Sequence, residues 1–514
     1  MKRMLAWVLA AVCLWTVAPV GAALSEEETP KIYISYVPEY GVKEKIEGIV
    51  RGGADFDPSE YFLALVLQIQ NMTGAICKPY YNRPYEPLSS DGVFTYLFCT
   101  GGVDETANVL TLYLIPAEYV ASFQGSYLGF DPASAAIDTV VIERTETTVT
   151  VTPDRADPGA HTLRAAIPAS SGKIGVNVGF YTNGQYPDSA LPEGHIGRVL
   201  SAVVPFAHTV RFYRSSGAIA SAYDEAAARG LRVAGMAYLD GSDQNNQKEM
   251  DALIALCRSG KVDLAIVGNE LLLTRKMSED KLIECIEYVR KGIAGTGIPV
   301  ATSDSVDALL NSARVRYAVD VLMPNIYPYW GGCDDAQKGI EGFINSVYNL
   351  RKRSAGKQIV VSETMWPTQD SRDLGELAAA YFEGVRSWAR ARGIPVLFFE
   401  AADEPWKSSA EGAPGAHWGI LDKDLKIKPC YQKTSLFGGI YPTEGVIVIP
   451  ENTVEIGDSA FENCEGILEV HIPASVTRIG AHAFDGCGDI VIVSAVDSAA
   501  KTYAEEHGLR WKED

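Results

Sequence analysis

The sequence predicts a multidomain protein: an all-β sandwich, then a (β/α)8 barrel, then a short repeat solenoid. Three observations carry this. Between residues 173 and 432, strand-like and helix-like segments alternate eight times, the count and size of a (β/α)8 barrel. Residues 31–153 contain strand-length runs rich in β-branched and aromatic residues, broken by Gly, Pro, Asp and Ser. The tail repeats itself with a period of 23 residues. A chain of 514 residues also exceeds what one core holds, since single cores stop growing at roughly 250–300 residues.

The first 23 residues read as a signal peptide: Lys2 and Arg3, an apolar run from Met4 to Val20, then Gly21-Ala22-Ala23, with cleavage expected after Ala22 or Ala23. The run is short and holds Pro19, which argues against a membrane anchor. The mature protein is expected to be exported, secreted or at the cell surface, with no membrane insertion after signal removal.

The sandwich strands are "KIYISYV", "YFLALVLQI", "FTYLFCT", "VLTLYLIP" and "DTVVIERTETTVTV". This part is expected to be an accessory domain, with carbohydrate as its ligand if it has one. Cys77 and Cys99 fall within it, and disulfide and buried thiols both remain open for them. The cysteines of the mature chain form no CxxC pairs, so no zinc site is expected, nor any other metal or cofactor. Residues 154–172 are rich in Pro, Ala and Ser and read as a linker.

The barrel strands are read at 173–179, 209–214, 231–239, 262–270, 298–305, 319–329, 358–364 and 394–401. Helical stretches such as "NQKEMDALIALCRSG" and "LGELAAAYFEGVRSWARARG" lie between them, and several end in Gly, as helix C-termini do. An open doubly wound sheet is the alternative, but no glycine-rich phosphate loop follows the first strand.

In the tail, Pro450, Ile456, Phe461 and Cys464 recur as Pro473, Ile479, Phe484 and Cys487. These residues resemble the BspA-like class of bacterial leucine-rich repeats, and "SAAKTYAEEHGLRW" looks like its terminal cap. The repeats are assigned to residues 443–514, with the cysteines expected in the solenoid core and the surface expected to supply any cell-surface contacts.

The net charge of −20 argues against nucleic acid or an anionic membrane as partner. In a (β/α)8 barrel chemistry lies at the C-terminal ends of the strands. There the fourth and seventh strands end in "IVGNE" and "VVSET", which puts Glu270 and Glu363 on one rim. Two carboxylates about 5 Å apart can share a glycosidic bond, one attacking the anomeric carbon while the other protonates the departing oxygen. Either Glu alone is as well explained as a rim residue that caps a helix or pairs with Arg; the two together, among aromatics, favour chemistry. Tyr327, Tyr329, Trp330, Trp366, Trp406 and Trp418 cluster after the later strands, and about half are expected only to pack loops. Asn269 is placed to bond a sugar 2-OH. Glu404 and Lys407, in "DEPWK", are expected near the nucleophile, the ammonium favouring the charged form of Glu363, although an ordinary rim salt bridge reads equally well.

"IVGNE", "NIYPYW", "VVSETMWP" and "FFEAADEPWK…HWGIL" resemble the signature segments of glycoside hydrolase family 17, the β-1,3-glucanases, especially its bacterial branch. The resemblance implies a retaining mechanism on β-glucan polysaccharide or oligosaccharide, with Glu270 as acid/base and Glu363 as nucleophile. It implies substrate contacts from Asn269, Tyr213, Tyr327, Trp366, Glu404 and Lys407. One departure stands out: Met365 occupies a position where that family has Gly, and it is expected to narrow or reshape a subsite. Two other readings stay open, a transglycosylase on the same site and a non-catalytic surface protein that binds glycan.

Overall fold

Eight parallel strands close into a barrel in the computed structural model, which describes residues 29–513 apart from 54, 70–75, 79–84, 99–103, 123–129, 146–147, 156–171, 188, 438–445, 450–454, 457–460 and 462–467. They are β1 (Ile174–Asn177), β2 (Ala207–Arg211), β3 (Arg232–Ala237), β4 (Leu264–Asn269), β5 (Val300–Ser305), β6 (Val321–Asn325), β7 (Gln358–Ile359 with Val361–Thr364) and β8 (Val396–Phe398). Each pairs with the next in the chain, and β8 pairs back onto β1, which closes the ring. Seven of the eight strands read from the sequence contain one of these; the stretch 209–214 only overlaps its strand, which starts at Ala207 and ends at Arg211. The stretch 319–329 overruns most, because Pro328–Gly331 leaves the strand as a short 3-10 turn.

These strands read as continuous apolar runs because both faces are buried. Outward residues such as Val176, Val210 and Val361 pack against the helices, and the inward Ala234, Leu264, Ile266, Val321 and Val360 fill the lumen. The helices begin on side-chain caps. Ser242 accepts from Asn245 N ahead of Asp243–Arg258, and Ser278 from Lys281 N ahead of Glu279–Gly292. Above the apolar plug the inward residues turn polar: Asn177, Arg211, Ser303, Asn325 and Ser362, all buried, sit toward the C-terminal ends of their strands.

The chain divides into two compact units, residues 1–161 and 162–514. Among the described residues the first is built mainly of antiparallel sheet, with one short helix at Ala117–Ser122. Lys31–Tyr36, Lys45–Arg51 and Val93–Leu97 form one sheet, and Tyr61–Ile69, Ala107–Pro116, Asp138–Arg144 and Val149–Thr152 run consecutively through the other. Alternate residues Leu63, Leu65 and Leu67 meet Leu110, Leu112, Leu114 and Ile46 in one core, the layering of a sandwich.

In the tail, Val446–Val448, Glu469–His471, Val491–Ser494 and Arg510–Glu513 form a parallel four-stranded ladder. A second ladder pairs Glu455–Ile456 with Arg478–Ile479, in step with the sequence repeat. The repeated Phe461 and Phe484 stack with rings 5.1 Å apart and 3° from parallel. Ile456, Phe484, Cys487 and Tyr503 share a core of the tail's own, so the solenoid extends beyond the two sequence repeats into its cap helix Ala499–Glu506. Residues 1–23, read above as a signal peptide, lie outside the described residues, as do Cys99, Cys464 and the Cys77 side chain. Among those described, no helix is long and apolar enough to cross a membrane, and no group of three or more His, Cys, Asp or Glu could hold a metal.

Candidate active site

Glu363 is the inward residue near the end of β7. Its carboxylate is 5% exposed, and three donors converge on it. Arg211 Nη1 from β2 donates to Oε1 at 2.6 Å, Tyr213 Oη donates to Oε1 at 3.0 Å, and Tyr327 Oη donates to Oε2 at 2.9 Å. Burial, then the Glu363 charge, push both phenols well above their ordinary range, so they keep their protons. Arg211 is also raised: burial opposes its charge, but Tyr213 and Glu363 more than offset that. Phe399 lies edge-on to both tyrosine rings, at 6.4 Å and 5.9 Å, and fixes their orientation.

Glu270 follows β4 directly, in a left-handed backbone conformation with φ 53°. Such a conformation is costly for a residue with a Cβ and persists only where the surroundings impose it. Here Glu270 N donates to Ser303 O at 2.8 Å, and the buried Asp304 accepts from Leu272 N at 2.9 Å and Leu273 N at 3.3 Å. Gly268 has to be glycine: its φ is 77°, and a Cβ there would come within 2.3 Å of Leu271 Cδ1. The turn so held presents a half-buried carboxyl whose Oε1 accepts from Asn325 Nδ2 at 2.9 Å. Burial first, and the Glu363 charge second, push the Glu270 carboxyl up to about 7, against the opposing pull of the Asn325 bond.

The two carboxyls are joined through amides. Arg211 Nη2 donates to Asn269 Oδ1 at 3.0 Å, and Asn325 Nδ2 reaches the same oxygen at 3.3 Å. Asn269 Oδ1 is thus committed to the protein, and its Nδ2 is the group left to donate to a ligand. Asn325 is oriented in turn by Ser303 Oγ and Ser362 Oγ, which donate to its Oδ1 at 2.9 Å and 2.6 Å.

Lys407 is not the cation on Glu363. Its Nζ pairs with Glu400 and, at 3.0 Å, with Glu404, and it lies 4.3 Å from the Phe399 ring centroid. Burial disfavours the ammonium, yet Glu400 and Glu404 hold its pKa above the ordinary value. Burial also raises Glu400 well above the usual carboxylate range. Glu404 Oε1 accepts from Tyr181 N at 2.8 Å, and Gly179 has no Cβ because one would sit 2.2 Å from that carboxylate. Sequence reasoning placed the neighbouring positive charge in "DEPWK" because Lys407 is near the end of β8. Arg211 is an isolated Arg inside an apolar strand, and an unpaired charge there was the signal that could have found it.

Trp366 is 1% exposed, with its ring against Tyr329 and Tyr381 at 5.8 Å and 5.4 Å, so it presents no open face to a ligand. Trp418 is equally buried, while Trp330 is 52% exposed on the rim. Met365 is fully buried in the core between barrel and helices, not on a subsite wall.

Residues 185–419, most of the barrel, match the family described as the BtgE/BtgC glycoside hydrolase domain. That stretch is similar to a glycoside hydrolase domain. Six copies of the BspA type leucine rich repeat region match within residues 440–504. A relative from Aspergillus fumigatus named "Probable glucan endo-1,3-beta-glucosidase btgC" is 25% identical over 48% of this chain and 40% of its own length. A "Glucan 1,3-beta-glucosidase" from Arthroderma benhamiae is 26% identical over 49% of this chain and 89% of its own. The chain thus spans well under half the length of the first curated relatives it matches. Among solved structures, a glycoside hydrolase family 17 beta-1,3-glucanosyltransferase from Rhizomucor miehei aligns with TM-score 0.46 and 26% identity, covering 51% of this chain and 97% of that one. The hydrolase domain's match holds both carboxylates described above.

Proposed function

We propose that the protein is a retaining glycosidase that acts on β-1,3-linked glucan, with Glu363 as nucleophile and Glu270 as acid/base. The observation that carries this is the contrast between the two carboxyls. One receives three fixed donors, and the other is pushed up to about 7 by burial and its neighbour's charge. In the first step a Glu363 oxygen attacks the anomeric carbon as Glu270 passes its proton to the departing glycosidic oxygen. A covalent glycosyl-enzyme results, and Glu270 is left ionised. In the second step Glu270 takes a proton from water, whose oxygen displaces Glu363. Asn269 Nδ2 is the donor for the sugar 2-OH, where hydrogen bonds strengthen as the ring becomes oxocarbenium-like. The linkage rests on the names of the relatives and on the family 17 motifs, and export rests on the Lys2-Arg3 and apolar leader. Nothing in the site favours a barrel that has lost activity, since both carboxyls keep their hydrogen-bond partners.

Laminari-oligosaccharides followed by proton NMR test the reading. The newly formed reducing end is expected to appear first as the β-anomer, and Glu363→Gln is expected to remove nearly all turnover while oligosaccharide binding persists. An α-anomer appearing first, or substantial turnover by Glu363→Gln, would reject it.

A further inference from the structure

The chain beyond β8 carries a buried ion pair that the glycosidase chemistry leaves unused. Lys428, just ahead of the short helix Pro429–Gln432, is buried, and so is Asp403. Lys428 Nζ donates to Asp403 Oδ1 at 2.6 Å, to Thr368 Oγ1 at 2.9 Å and to His417 O at 3.2 Å. These partners come from two loops: Thr368 follows β7, and Asp403 and His417 follow β8. Burial works against both charges, pulling the Lys428 pKa down and pushing the Asp403 pKa up. A buried pair of this kind is weak evidence for stability, because apolar residues of similar volume often serve as well. What it fixes here is geometry.

The geometry converges on Trp418. On one side of it, His417 O accepts from Thr368 N at 2.9 Å, from Thr368 Oγ1 at 3.1 Å and from Lys428. On the other, Gly419 N donates to Asp403 Oδ1 at 2.9 Å, and a Cβ at Gly419 would come within 2.3 Å of Asp403 N. The peptides flanking Trp418 are thus held by Thr368 and Asp403, and one ammonium joins those two. Trp418 also pairs with the chain leaving β8, where Glu400 N donates to Trp418 O at 3.2 Å and Ile420 N to Glu400 O at 2.9 Å. So held, the buried Trp418 ring lies 5.4 Å from Tyr327 and 5.9 Å from Phe399, and those two rings are 5.9 Å apart. Tyr327 is the donor to Glu363 Oε2. Trp418 and Phe399 are the walls that keep its ring from swinging away.

We propose that Lys428 and Asp403 are positioning residues for the nucleophile, acting through Trp418 on the Tyr327 hydrogen bond to Glu363. The inference rests on the reading of Glu363 as nucleophile. Loss of the ammonium uncouples the two peptides beside Trp418 and loosens the wall behind Tyr327. Glu363 Oε2 is then left with a misdirected donor, so the attack suffers while the groups that bind sugar stay in place.

The experiment uses the whole protein. Lys428→Met leaves Asp403 buried without its cation, so it is run beside the double variant Lys428→Met/Asp403→Asn. That variant buries no lone charge and keeps an oxygen for Gly419 N. On laminari-oligosaccharides both are expected to lower kcat roughly tenfold or more with KM nearly unchanged. Added to Tyr327→Phe, the same changes are expected to cost less than about twofold, because the bond they act through is already gone. With 5-fluorotryptophan incorporated, fluorine NMR is expected to show one sharp Trp418 line, assigned by its loss in Trp418→Phe, and a broadened or split line in both variants. That line needs no turnover. A wild-type protein inactive on these sugars would therefore reject the glycosidase reading itself. A sharp Trp418 line in both variants, kcat losses that multiply fully with Tyr327→Phe, or a raised KM with kcat intact would overturn the positioning role alone. Failure of both variants to fold would overturn it too, by making the pair a requirement of the fold.

Discussion

Arg211 Nη1 lies 2.6 Å from Glu363 Oε1, with the arginine fully buried on β2 and the glutamate on β7 across the lumen. Breaking a buried pair from one side leaves the other charge without compensation, at a cost of about 3–5 kcal/mol. Arg211→Met is therefore expected to lower unfolding stability in urea by about that amount and to abolish turnover. Arg211→Lys keeps the charge but cannot reach Glu363, Asn269 and Asn177 together as the planar fork does. It is expected to recover part of the stability and little of the activity. Wild-type turnover by Arg211→Lys would show that charge alone, without the fork, suffices.

The pH dependence follows from Glu270, whose carboxyl stands at about 7. The acid form is the active one in the first step, so kcat/KM is expected to fall on the alkaline side with an apparent pKa near that value. Asn325 pulls the Glu270 pKa down by bonding its charged form, and Asn325→Ala is expected to move the alkaline limb to higher pH. Glu363→Gln removes a charge that pushes Glu270 up, so carbon NMR of labelled glutamate should show Glu270 titrating lower in that variant. Shifts in the opposite directions would contradict the assignment of roles.

These partners show how much the sequence discloses. The eight strands were legible because each is a buried apolar run between amphipathic helices. Glu270 and Glu363 were legible because a carboxylate at the end of such a run is costly without a reason. Arg211 was not, because its partner lies 152 positions away and no local pattern records which strands face each other across a lumen. The fates of Trp366 and Met365 were hidden for a related cause. Residues just past a strand end can point to the lumen, to the rim or into the wall, and the barrel's closure decides which.

Stability should record the same carboxyl. The folded-state pKa of Glu270, about 7, lies above its ordinary 4.5, so the folded state binds the proton more tightly than the unfolded chain does. The stabilising effect is fully present below 4.5 and is lost as pH rises through about 7. Glu270→Gln cannot ionise. It is expected to match the wild type at acid pH and to exceed it above neutrality, by an amount on the order of 3 kcal/mol. Urea midpoints across the pH range check this. A variant that gains equally at all pH values would contradict the raised carboxyl as the cause.

Met365 separates packing from specificity. It stands where the family 17 motif has glycine, which on sequence grounds points to a reshaped subsite. In the folded chain the side chain is fully buried among core residues of the barrel wall, next to Trp366, whose ring in turn lies against Gly339 and Tyr381. Removing a buried methionine side chain costs about 2–5 kcal/mol through lost transfer energy and the cavity left behind. A glycine adds backbone freedom to the unfolded chain. Met365→Gly is accordingly expected to lower stability by at least that range while leaving the ratio of kcat/KM values across laminari-oligosaccharides of different length unchanged. Met365→Leu, which keeps the volume, should recover most of the loss. A changed length preference in Met365→Gly, with stability intact, would return this residue to the substrate site.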